Sequence, residues 1–471
     1  MASIDQKSTT VTSRATVAQN AVAALYPTQV IDHPSTLFSE TKNSFWNTLQ
    51  GEKVPACFFQ PTAAEQVKNA LVEVVRAKSP FAIKGGGHSS NLKGSSIQDG
   101  FQFDLVNLNH IEIADDKRSV KLGPGLRWGT VFKELERNRV ITPGGRDASV
   151  GVPGFIFGVS ADIVLANGEL VTVDNDTHPK LNKALHGGGA HNFGIVTSLT
   201  LKLYPYDGMW GGMNLVAEEY FDDVFAAYDI YTQKLLDDKK AHMIMDFVRR
   251  DGEMFVAQFI GYTEPRKDPP TYDAILRIPT VANTLRLADY SALAEEMTEV
   301  TDSRGKRNAY WTLAMEYDIN LLKSACALWA KMTEPHANHF RFAFDVNHIT
   351  ATMRNKAARE GVGNIYGLEG PDKPLTNILL TAVWEDGSDD ETAMAILRSL
   401  GTAIEALAQQ DGKECLFKYM NYAHQDQDVV AGFGEKNKAF LLDVAAKYDP
   451  EGIFQNLQLG GFKLEQRSLR K

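Results

Sequence analysis

Cysteine is scarce in this sequence, and its scarcity excludes two classes of protein. The only three cysteines, Cys57, Cys326 and Cys415, lie far apart and form no Cys-x-x-Cys pair. A disulfide scaffold needs cysteines in pairs and a thiolate zinc site needs them closely spaced, so neither is predicted. A chain with so little cysteine fits a reducing compartment.

Long apolar runs and an excess of positive charge are also missing. No continuous apolar segment follows a basic start at the N-terminus, and nowhere do the roughly 18 apolar residues of a membrane helix follow one another. We therefore expect no membrane partner and a cytoplasmic location. The formal charge of −10 argues against a surface that holds nucleic acid.

Glycine is abundant instead, and it is unevenly distributed. The chain has 37 glycines among its 471 residues. A chain of this length is too long for a single hydrophobic core, so more than one packed unit is expected. Glycine clusters stop after Pro205, where longer helical and strand patterns begin, and they return near the C-terminus. We predict four segments: a tail and leading helix (1–50), a glycine-rich α/β unit (51–205), a second domain (206–415) and a C-terminal segment (416–471).

Local patterns place the first glycine cluster in an α/β unit. The segment 62–65, Thr-Ala-Ala-Glu, has the form of a capping box and predicts a helix up to about Lys78. Segments 81–84 and 101–105 predict short buried strands on either side of the glycines. Asn167-Gly168 predicts a hairpin turn between two strands. In the second domain we predict strands at 340–344 and 378–383 and a helix at 391–410.

Three glycine-rich turns lie within the α/β unit. They are Gly85-Gly86-Gly87-His88-Ser89, Gly144-Gly145-Arg146 with Val150-Gly151-Val152-Pro153-Gly154, and Gly187-Gly188-Gly189 with Asn192-Phe193-Gly194. Consecutive glycines adopt positive φ and turn their N–H groups toward one phosphate, although a single such cluster is more often a plain tight turn. The Rossmann and P-loop spacings are absent. Three turns in one unit favour a large, flat, phosphate-bearing ligand.

The order of these motifs resembles the FAD-binding domain of the vanillyl-alcohol-oxidase/PCMH superfamily. The motifs that carry the resemblance are Pro55-Ala56-Cys57-Phe58-Phe59-Gln60-Pro61, Gly86-Gly87-His88-Ser89, Val120-Lys121-Leu122-Gly123-Pro124-Gly125 with Trp128, Gly144-Gly145-Arg146, Val150-Gly151-Val152, and Gly188-Gly189 through Asn192-Phe193-Gly194-Ile195-Val196-Thr197. Three C-terminal motifs resemble the berberine-bridge-enzyme-like branch, the last as in fungal members: Tyr419-Met420-Asn421-Tyr422, Tyr448-Asp449-Pro450-Glu451-Gly452-Ile453-Phe454 and Gly460-Gly461-Phe462-Lys463-Leu464.

The resemblance implies an α+β fold: a PCMH-type FAD-binding domain of two α/β subdomains, a substrate domain of an antiparallel sheet and helices, and a C-terminal segment that returns to the flavin domain. It implies FAD as the cofactor, tethered through the 8α-methyl group to His88. Relatives with a second tether have a cysteine where this chain has Asp147, so a single covalent bond is implied. The residues implied to bind FAD are Gly85, Gly86, Gly87, His88, Ser89, Gly144, Gly145, Val150, Gly151, Gly154, Gly188, Gly189, Asn192, Gly194, Ile195, Val196 and Asn421.

The chain departs from the family's pattern after Gly158. Relatives have a further stretch there, with a Gly-Gly-x-Ser turn, a tyrosine–glycine pair and an Asp-Asn-Val, which lies against the flavin. This chain continues directly from Gly158 into Val159-Ser160-Ala161. A variant splice or gene model and the loss of part of the flavin pocket both fit this difference.

On the substrate side, the resemblance implies that a tyrosine of Tyr-x-Asn-Tyr projects over the flavin. Tyr422 is the first candidate for the base that takes a proton from the substrate, and Tyr419 is the second. A phenol with an ordinary pKa of about 10 needs a positive or hydrogen-bonding neighbour for that role. Two tyrosines that only pack in a sheet are the alternative.

The second domain offers further polar and aromatic candidates, for each of which a structural role is the more frequent one: Asp345, His348, Tyr366, Trp384 and Glu385. A metal site is not predicted, because His336, His339 and His348 lack acidic partners at ligand spacing.

The leading functional hypothesis is an FAD-dependent oxidase. It would transfer a hydride from a small organic substrate to covalently bound FAD, and O2 would reoxidise the flavin to give H2O2. The fungal-type C-terminal motifs favour a role in secondary-metabolite biosynthesis. Two alternatives stay open: a flavoprotein with structural FAD that catalyses a non-redox cyclisation, and an inactive homologue that lacks part of its flavin pocket.

Overall fold

The computed structural model describes residues 13–154, 158–359, 365–370 and 373–465. The start of the predicted N-terminal tail therefore lies outside the described residues. The helices, labelled in chain order, are α1 (Arg14–Leu25), α2 (Thr36–Asn43), α3 (Thr48–Gly51), α4 (Ala64–Arg76), α5 (Trp128–Arg137), α6 (Pro179–Gly188), α7 (Phe221–Lys234), α8 (Tyr290–Thr301), α9 (Ile319–Thr333), α10 (Ala351–Arg359), α11 (Asp390–Gln410), α12 (Glu435–Tyr448) and α13 (Ile453–Asn456).

The strands, labelled in the same way, are β1 (Val30–Asp32), β2 (Cys57–Phe59), β3 (Phe81–Lys84), β4 (Phe101–Asp104), β5 (Ile111–Ile113), β6 (Ser119–Leu122), β7 (Val140–Ile141), β8 (Ser160–Val164), β9 (Leu170–Val173), β10 (Ile195–Lys202), β11 (Tyr204–Pro205), β12 (Met209–Ala217), β13 (Ala241–Arg250), β14 (Glu253–Tyr262), β15 (Ala282–Asn283), β16 (Arg286–Ala288), β17 (Arg307–Glu316), β18 (Arg341–Ile349), β19 (Leu375–Trp384) and β20 (Glu414–Cys415).

The first sheet has the strand order β1-β2-β4-β3 and leads into the first glycine turn. β4 runs parallel to both β2 and β3, which confirms the strands predicted at 81–84 and 101–105. The buried residues of α4 recur at helical spacing and belong to one apolar cluster with side chains of β2, β3 and β4. These helix residues are Val67, Ala70, Leu71 and Val74. The glycine turn therefore begins at the carboxyl end of a buried parallel strand.

The capping box predicted at 62–65 was wrong, although the helix was right. The N-cap of α4 is Ala63, which has no side chain that can accept a hydrogen bond. Gln66 accepts the Thr62 backbone N–H through its Oε1 at 2.8 Å, while Glu65 pairs with Lys68. The helix starts one residue later than the pattern indicated, because Gln66 satisfies the exposed donor that Glu65 was expected to take.

The second sheet is antiparallel, in the order β5-β6-β10-β8-β9. The predicted hairpin is confirmed: β8 and β9 pair around a turn in which Gly168 has φ of +81°, a conformation that favours glycine. The Val159 N–H donates to the Thr200 carbonyl at 2.8 Å. The chain thus joins this sheet immediately after Gly158, the point at which it departs from the family's pattern.

The third sheet is large and antiparallel, in the order β15-β12-β14-β13-β18-β19-β17-β20, and β16 also pairs with β12. It contains the strands predicted at 340–344 and 378–383, and the predicted helix at 391–410 is α11. One face packs on α7, α9 and α11 to form a large apolar core. Side chains point alternately to the two faces of the sheet along each strand, so the face opposite the helices is available to line a cavity.

The C-terminal segment packs against the first two sheets. The Phe81 N–H at the start of β3 donates to the Leu457 carbonyl at 2.9 Å. Asp449 accepts the N–H groups of Ile453 and Phe454, each at 2.7 Å, and so caps α13. No helix in the described parts of the chain has the length and apolar character that a bilayer crossing requires.

Candidate functional site

A cavity of about 670 Å³ lies between the glycine turns and the third sheet, within the size range of small-molecule and cofactor sites. The glycine turns form its floor and the free face of the sheet forms its roof. Both predicted tyrosines, Tyr419 and Tyr422, line it. The predicted FAD-binding residues that line it are Gly85, Gly86, Gly87, His88, Ser89, Gly145, Val150, Gly151, Gly154, Gly189, Gly194, Ile195, Val196 and Asn421.

Three of the predicted FAD-binding residues do not line the cavity. A Cβ on Gly144 would overlap the Trp128 ring, and one on Gly188 would lie 2.7 Å from the Leu441 side chain. Asn192 is fully buried and donates its Nδ2–H to the Gly188 carbonyl at 2.8 Å. These three residues lie on the side of the second and third turns that faces away from the cavity, and their contacts support the turns.

The first and second glycine turns touch through their backbones. A Cβ on Gly151 would lie 2.6 Å from the Gly86 Cα, and one on Gly86 would overlap the Gly151 Cα. Gly87 has φ of +68°. Only glycine permits this approach, so the floor of the cavity is bare backbone on which a flat ligand can lie.

His88 is held at the floor by contacts on two sides. Its ring stacks on Trp46, with 4.3 Å between centroids and 12° between planes, and its Nε2 lies 3.1 Å from the Ser149 Oγ. The Ser149 hydroxyl donates to the Asp147 Oδ1 at 2.6 Å, and Thr298 donates to the same oxygen at 2.8 Å. With its proton on Asp147, the Ser149 hydroxyl can accept a hydrogen bond from the His88 Nε2.

Burial lowers the pKa of His88 to about 4, although the charge of Asp147 acts in the opposite direction. The imidazole is therefore neutral near pH 7, which is the nucleophilic form. Sequence reasoning missed Trp46, because no local pattern marks a tryptophan 42 positions upstream of the histidine it stacks on. The Trp46 backbone N–H donates to the Gly87 carbonyl at 3.0 Å and joins this residue to the first glycine turn.

Arg146 and Tyr422 meet on the other side of the cavity. Arg146 donates from Nη2 to the Tyr422 hydroxyl at 2.6 Å and from Nη1 to the Asn347 Oδ1 at 2.8 Å. Burial raises the pKa of Tyr422, and the Arg146 charge opposes that rise. Tyr419 packs edge-on against Tyr422, and its hydroxyl accepts only the Asn421 amide at 3.1 Å within the described residues. Tyr422 therefore has the cationic neighbour that a basic phenol needs.

Two aspartates stand opposite each other in the roof. Asp246 on β13 and Asp345 on β18 are cross-strand partners, and both line the cavity. Burial raises the pKa of Asp246 to about 7, and burial together with the charge of Asp246 raises the pKa of Asp345 well above its ordinary value.

The other candidates named in the second domain do not line the cavity. Trp384 donates to the Asp390 Oδ1 at 2.8 Å and Glu385 pairs with Lys306 at 2.9 Å, both outside it. His348 and Tyr366 likewise lie outside. Sequence reasoning found Asp345 but missed its partner Asp246, because the pairing of β13 with β18 is a tertiary feature.

Comparisons with known proteins show the family to which this chain is similar. Residues 55–174 match the family model of an FAD binding domain. The FAD-dependent monooxygenase sdcF of Emericella nidulans is 31% identical over 461 residues, which cover 92% of this chain and 95% of that protein. The FAD-dependent monooxygenase FUP4 of Fusarium proliferatum is 30% identical, over 90% of this chain and 88% of that protein.

Solved structures share the fold. The 6-hydroxy-D-nicotine oxidase of Arthrobacter nicotinovorans has a TM-score of 0.75 at 19% identity, and the match covers 91% of this chain and 97% of that one. The C166A variant of berberine bridge enzyme has a TM-score of 0.75 at 13% identity, and the match covers 94% of this chain and all of that one. The predicted fold class is confirmed.

The chain therefore belongs to the family of FAD-dependent oxidoreductases that includes the fungal proteins sdcF and FUP4. Its cofactor is FAD, and the bare glycine floor fits such a ligand because a Cβ at Gly86 or Gly151 would fill the space.

Proposed function

We propose that this enzyme is an oxidase that takes a hydride from a small organic substrate and binds its FAD covalently through His88. When bound, FAD supplies the hydride acceptor and passes the two electrons to O2, which leaves as H2O2. The observation that carries the proposal is the arrangement of one cavity, in which a neutral, stacked His88 lies at the floor and the Arg146–Tyr422 pair lies at the side.

The cofactor would lie along the glycine turns. The turns at Gly85 and Gly189 would hold the pyrophosphate through backbone N–H groups, since glycine lets the backbone approach a phosphate closely. Ser149 contacts the His88 Nε2, so Nδ1 would be the nitrogen that forms the covalent bond. One tether is expected, because Asp147 stands where a second would be and accepts the Ser149 hydroxyl instead.

Tyr422 would act on the substrate's proton. As the hydride leaves a C–H bond, the adjacent O–H or N–H must lose a proton to a base within hydrogen-bond reach. The Arg146 guanidinium, 2.6 Å from the Tyr422 oxygen, stabilises the anionic phenolate that accepts it. Tyr419 is the second candidate, and no described cation donates to its hydroxyl.

A second candidate function is monooxygenation, favoured by the names of sdcF and FUP4. A monooxygenase places one oxygen atom of O2 in its product, whereas an oxidase returns both atoms as H2O2. Turnover under 18O2, with H2O2 measured in parallel, separates the two: label in the product contradicts the oxidase. We place either reaction in the biosynthesis of a small fungal metabolite in the cytoplasm, as the fungal relatives and the sequence expectations favour.

The main test is anaerobic mixing of the purified protein with a panel of alcohols, phenols and amines. Bleaching of the flavin absorbance, followed by its return and by H2O2 formation in air, supports the oxidase. Product formation without bleaching and without O2 uptake favours the non-redox cyclisation instead. A colourless protein that takes up no added FAD favours the inactive homologue.

A further inference from the structure

The roof of the cavity carries two carboxyl groups in an apolar row. Asp246 and Asp345 are directly opposite each other on β13 and β18. The next strands place Ala257 opposite Asp246 and Leu379 opposite Asp345, and both of these residues also line the cavity. The pair is therefore the polar centre of this row, and it faces the space where a substrate would lie beneath the sheet.

Asp246 is buried and incompletely paired. Asp246 is only 9% exposed. Its Oδ1 has no hydrogen-bond partner among the residues that the structure describes. Water or a partner normally satisfies a buried carboxyl oxygen, and its desolvation is otherwise unfavourable. Asp246 lines the cavity, so a molecule bound there can donate a hydrogen bond to its carboxyl group.

The nearby arginines form no ion pair with the two aspartates, although the charges of Arg341 and Arg146 favour the ionised carboxylates. Arg146 uses its two Nη groups on Asn347 and Tyr422. Arg341 directs its Nη2 to the Thr301 carbonyl at 3.3 Å. Neither Asp246 nor Asp345 forms an ion pair or a side-chain hydrogen bond within the described parts of the chain, so the pair is not a structural salt bridge.

Two buried carboxyl groups on adjacent strands cannot both ionise at low cost, so one of them keeps its proton although the charges of Arg341 and Arg146 oppose this. A singly protonated pair offers acceptor oxygens beside one donor O–H. It would bind a neutral hydroxyl or an amine well and would repel a carboxylate, because a third carboxyl group adds a like charge.

We propose that Asp246 and Asp345 together form the subsite for a hydrogen-bond donor on the substrate, so that the enzyme selects small molecules with a hydroxyl or amine group and excludes carboxylates there. The proposal rests on the proposed function, because it assumes that the substrate occupies the same cavity as the flavin. It adds a determinant of specificity opposite the glycine floor, distinct from the Arg146–Tyr422 pair.

The experiment compares phenol, anisole and benzoate as probes of the flavin-loaded protein by isothermal titration calorimetry. Phenol offers an O–H donor, anisole has the same ring without it, and benzoate carries the excluded charge. We expect phenol to bind at least about tenfold more tightly than anisole or benzoate, since a donor to a charged or buried acceptor is worth at least that factor.

Variants assign the preference to the pair. Asp246→Leu and Asp345→Leu remove the acceptors, and each should reduce the preference for phenol over anisole to about twofold or less. The double variants Asp246→Asn/Asp345→Asn and Asp246→Asn/Asp345→Leu remove the pair's negative charge, and each should strengthen benzoate binding by about tenfold. The matched control is Asp251→Asn, an exposed residue of the same β13–β14 hairpin, which should change neither value.

Three results overturn the proposal: equal binding of phenol and anisole to the wild type, no detectable binding of phenol, or a preference that the variants leave unchanged. If a leucine variant does not fold, judged by its circular dichroism and melting curve, the isosteric double asparagine variant decides through benzoate. Calorimetry needs no turnover, so the two proposals can fail separately. A protein that discriminates between the probes, but whose flavin no substrate bleaches, contradicts the proposed oxidase and supports this subsite.

Discussion

Arg146 and Tyr422 are 276 residues apart in the chain, and their side chains meet at 2.6 Å between the Nη2 and the hydroxyl oxygen. The same guanidinium donates to Asn347 on β18. One cation therefore joins the second glycine turn, the large sheet and the C-terminal segment at the side of the cavity. Burial and this cation act on the pKa of Tyr422 in opposite directions, which makes the phenol's acidity dependent on Arg146.

Replacing Tyr422 by phenylalanine should slow flavin reduction about 100-fold or more, because the hydroxyl that accepts the proton is removed. Stopped-flow absorbance under anaerobic conditions measures the rate. Arg146→Gln should move the pH at which reduction is half-maximal upward, since without the cation the Tyr422 pKa rises further.

Tyr419→Phe is the matched control for the tyrosine, and Arg146→Lys for the charge. The first should leave the rate within about threefold of the wild type, and the second should restore part of the pH profile. An unchanged rate in Tyr422→Phe would remove this residue as the base.

His88→Ala should lose the covalent flavin. Yellow colour that stays with the wild-type pellet after acid precipitation should appear in the supernatant of the variant. Ser149→Ala should retain the tether but form it more slowly from flavin-free protein and added FAD, because the Nε2 contact at 3.1 Å is lost.

Ser324→Ala, on the exposed face of α9, is the control for Ser149→Ala. Release of flavin from both the wild-type and the His88→Ala pellets would show that His88 carries no tether.

Gly86→Ala should destabilise the protein by about 1–3 kcal/mol, because the new methyl group overlaps the Gly151 backbone and the two turns must separate. Urea unfolding of the flavin-free protein measures the change. A Cβ on Gly154 would meet no atom of the described residues within 4 Å, so Gly154→Ala should change the free energy of unfolding by less than about 0.5 kcal/mol. Equal effects would contradict the backbone contact.

Buried histidines should make the protein less stable in mild acid. Burial lowers the pKa of His88 to about 4 and that of His191 to about 3, whereas both titrate near 6.5 when unfolded. Below pH 6.5 the unfolded chain therefore binds protons that the folded chain does not, and the free energy of unfolding falls as the pH drops toward 4. Urea unfolding at pH 6.5 and pH 5 checks this, and His191→Gln should reduce the difference.

Asp246 should act in the opposite direction. Its pKa is raised to about 7 by burial, so the folded protein binds a proton between about pH 4 and 7 that the unfolded chain lacks. The stability that this proton contributes is present below pH 4 and is lost as the pH rises through 7. Asp246→Asn should therefore become more stable relative to the wild type as the pH rises from 5 to 8. A constant difference across that range, measured by urea unfolding, would contradict the raised pKa.

Local features of the sequence determined the elements and the cofactor class. β3, α4 and the β8–β9 hairpin follow from apolar periodicity and from a glycine that adopts φ of +81°. The three glycine turns are local as well, because the absence of a Cβ is a property of each residue alone. Their order along the chain was enough to predict an FAD-binding domain, and the match over residues 55–174 agrees.

Tertiary structure decided which of these residues face the cavity. Gly144 and Gly188 stand in the same clusters as Gly145 and Gly189, yet they support the turns from behind, since neighbouring side chains from α5 and α12 occupy that space. The N-cap of α4 at Ala63 depended on which nearby side chain accepted the Thr62 N–H. The sequence pattern could not decide between Glu65 and Gln66 for that role.

The partners of the predicted residues were likewise decided only by the fold. His88 and Tyr422 could be named from the sequence, but the Trp46 ring that stacks on the first and the Arg146 group that binds the second come from distant segments. Asp246 lies opposite Asp345 only because β13 pairs with β18 in this register. If one strand were shifted by one residue, its aspartate would point to the opposite face of the sheet, into the apolar core. A sequence specifies which groups are present, whereas the register of strands and the docking of domains set their distances, and those distances decide the chemistry.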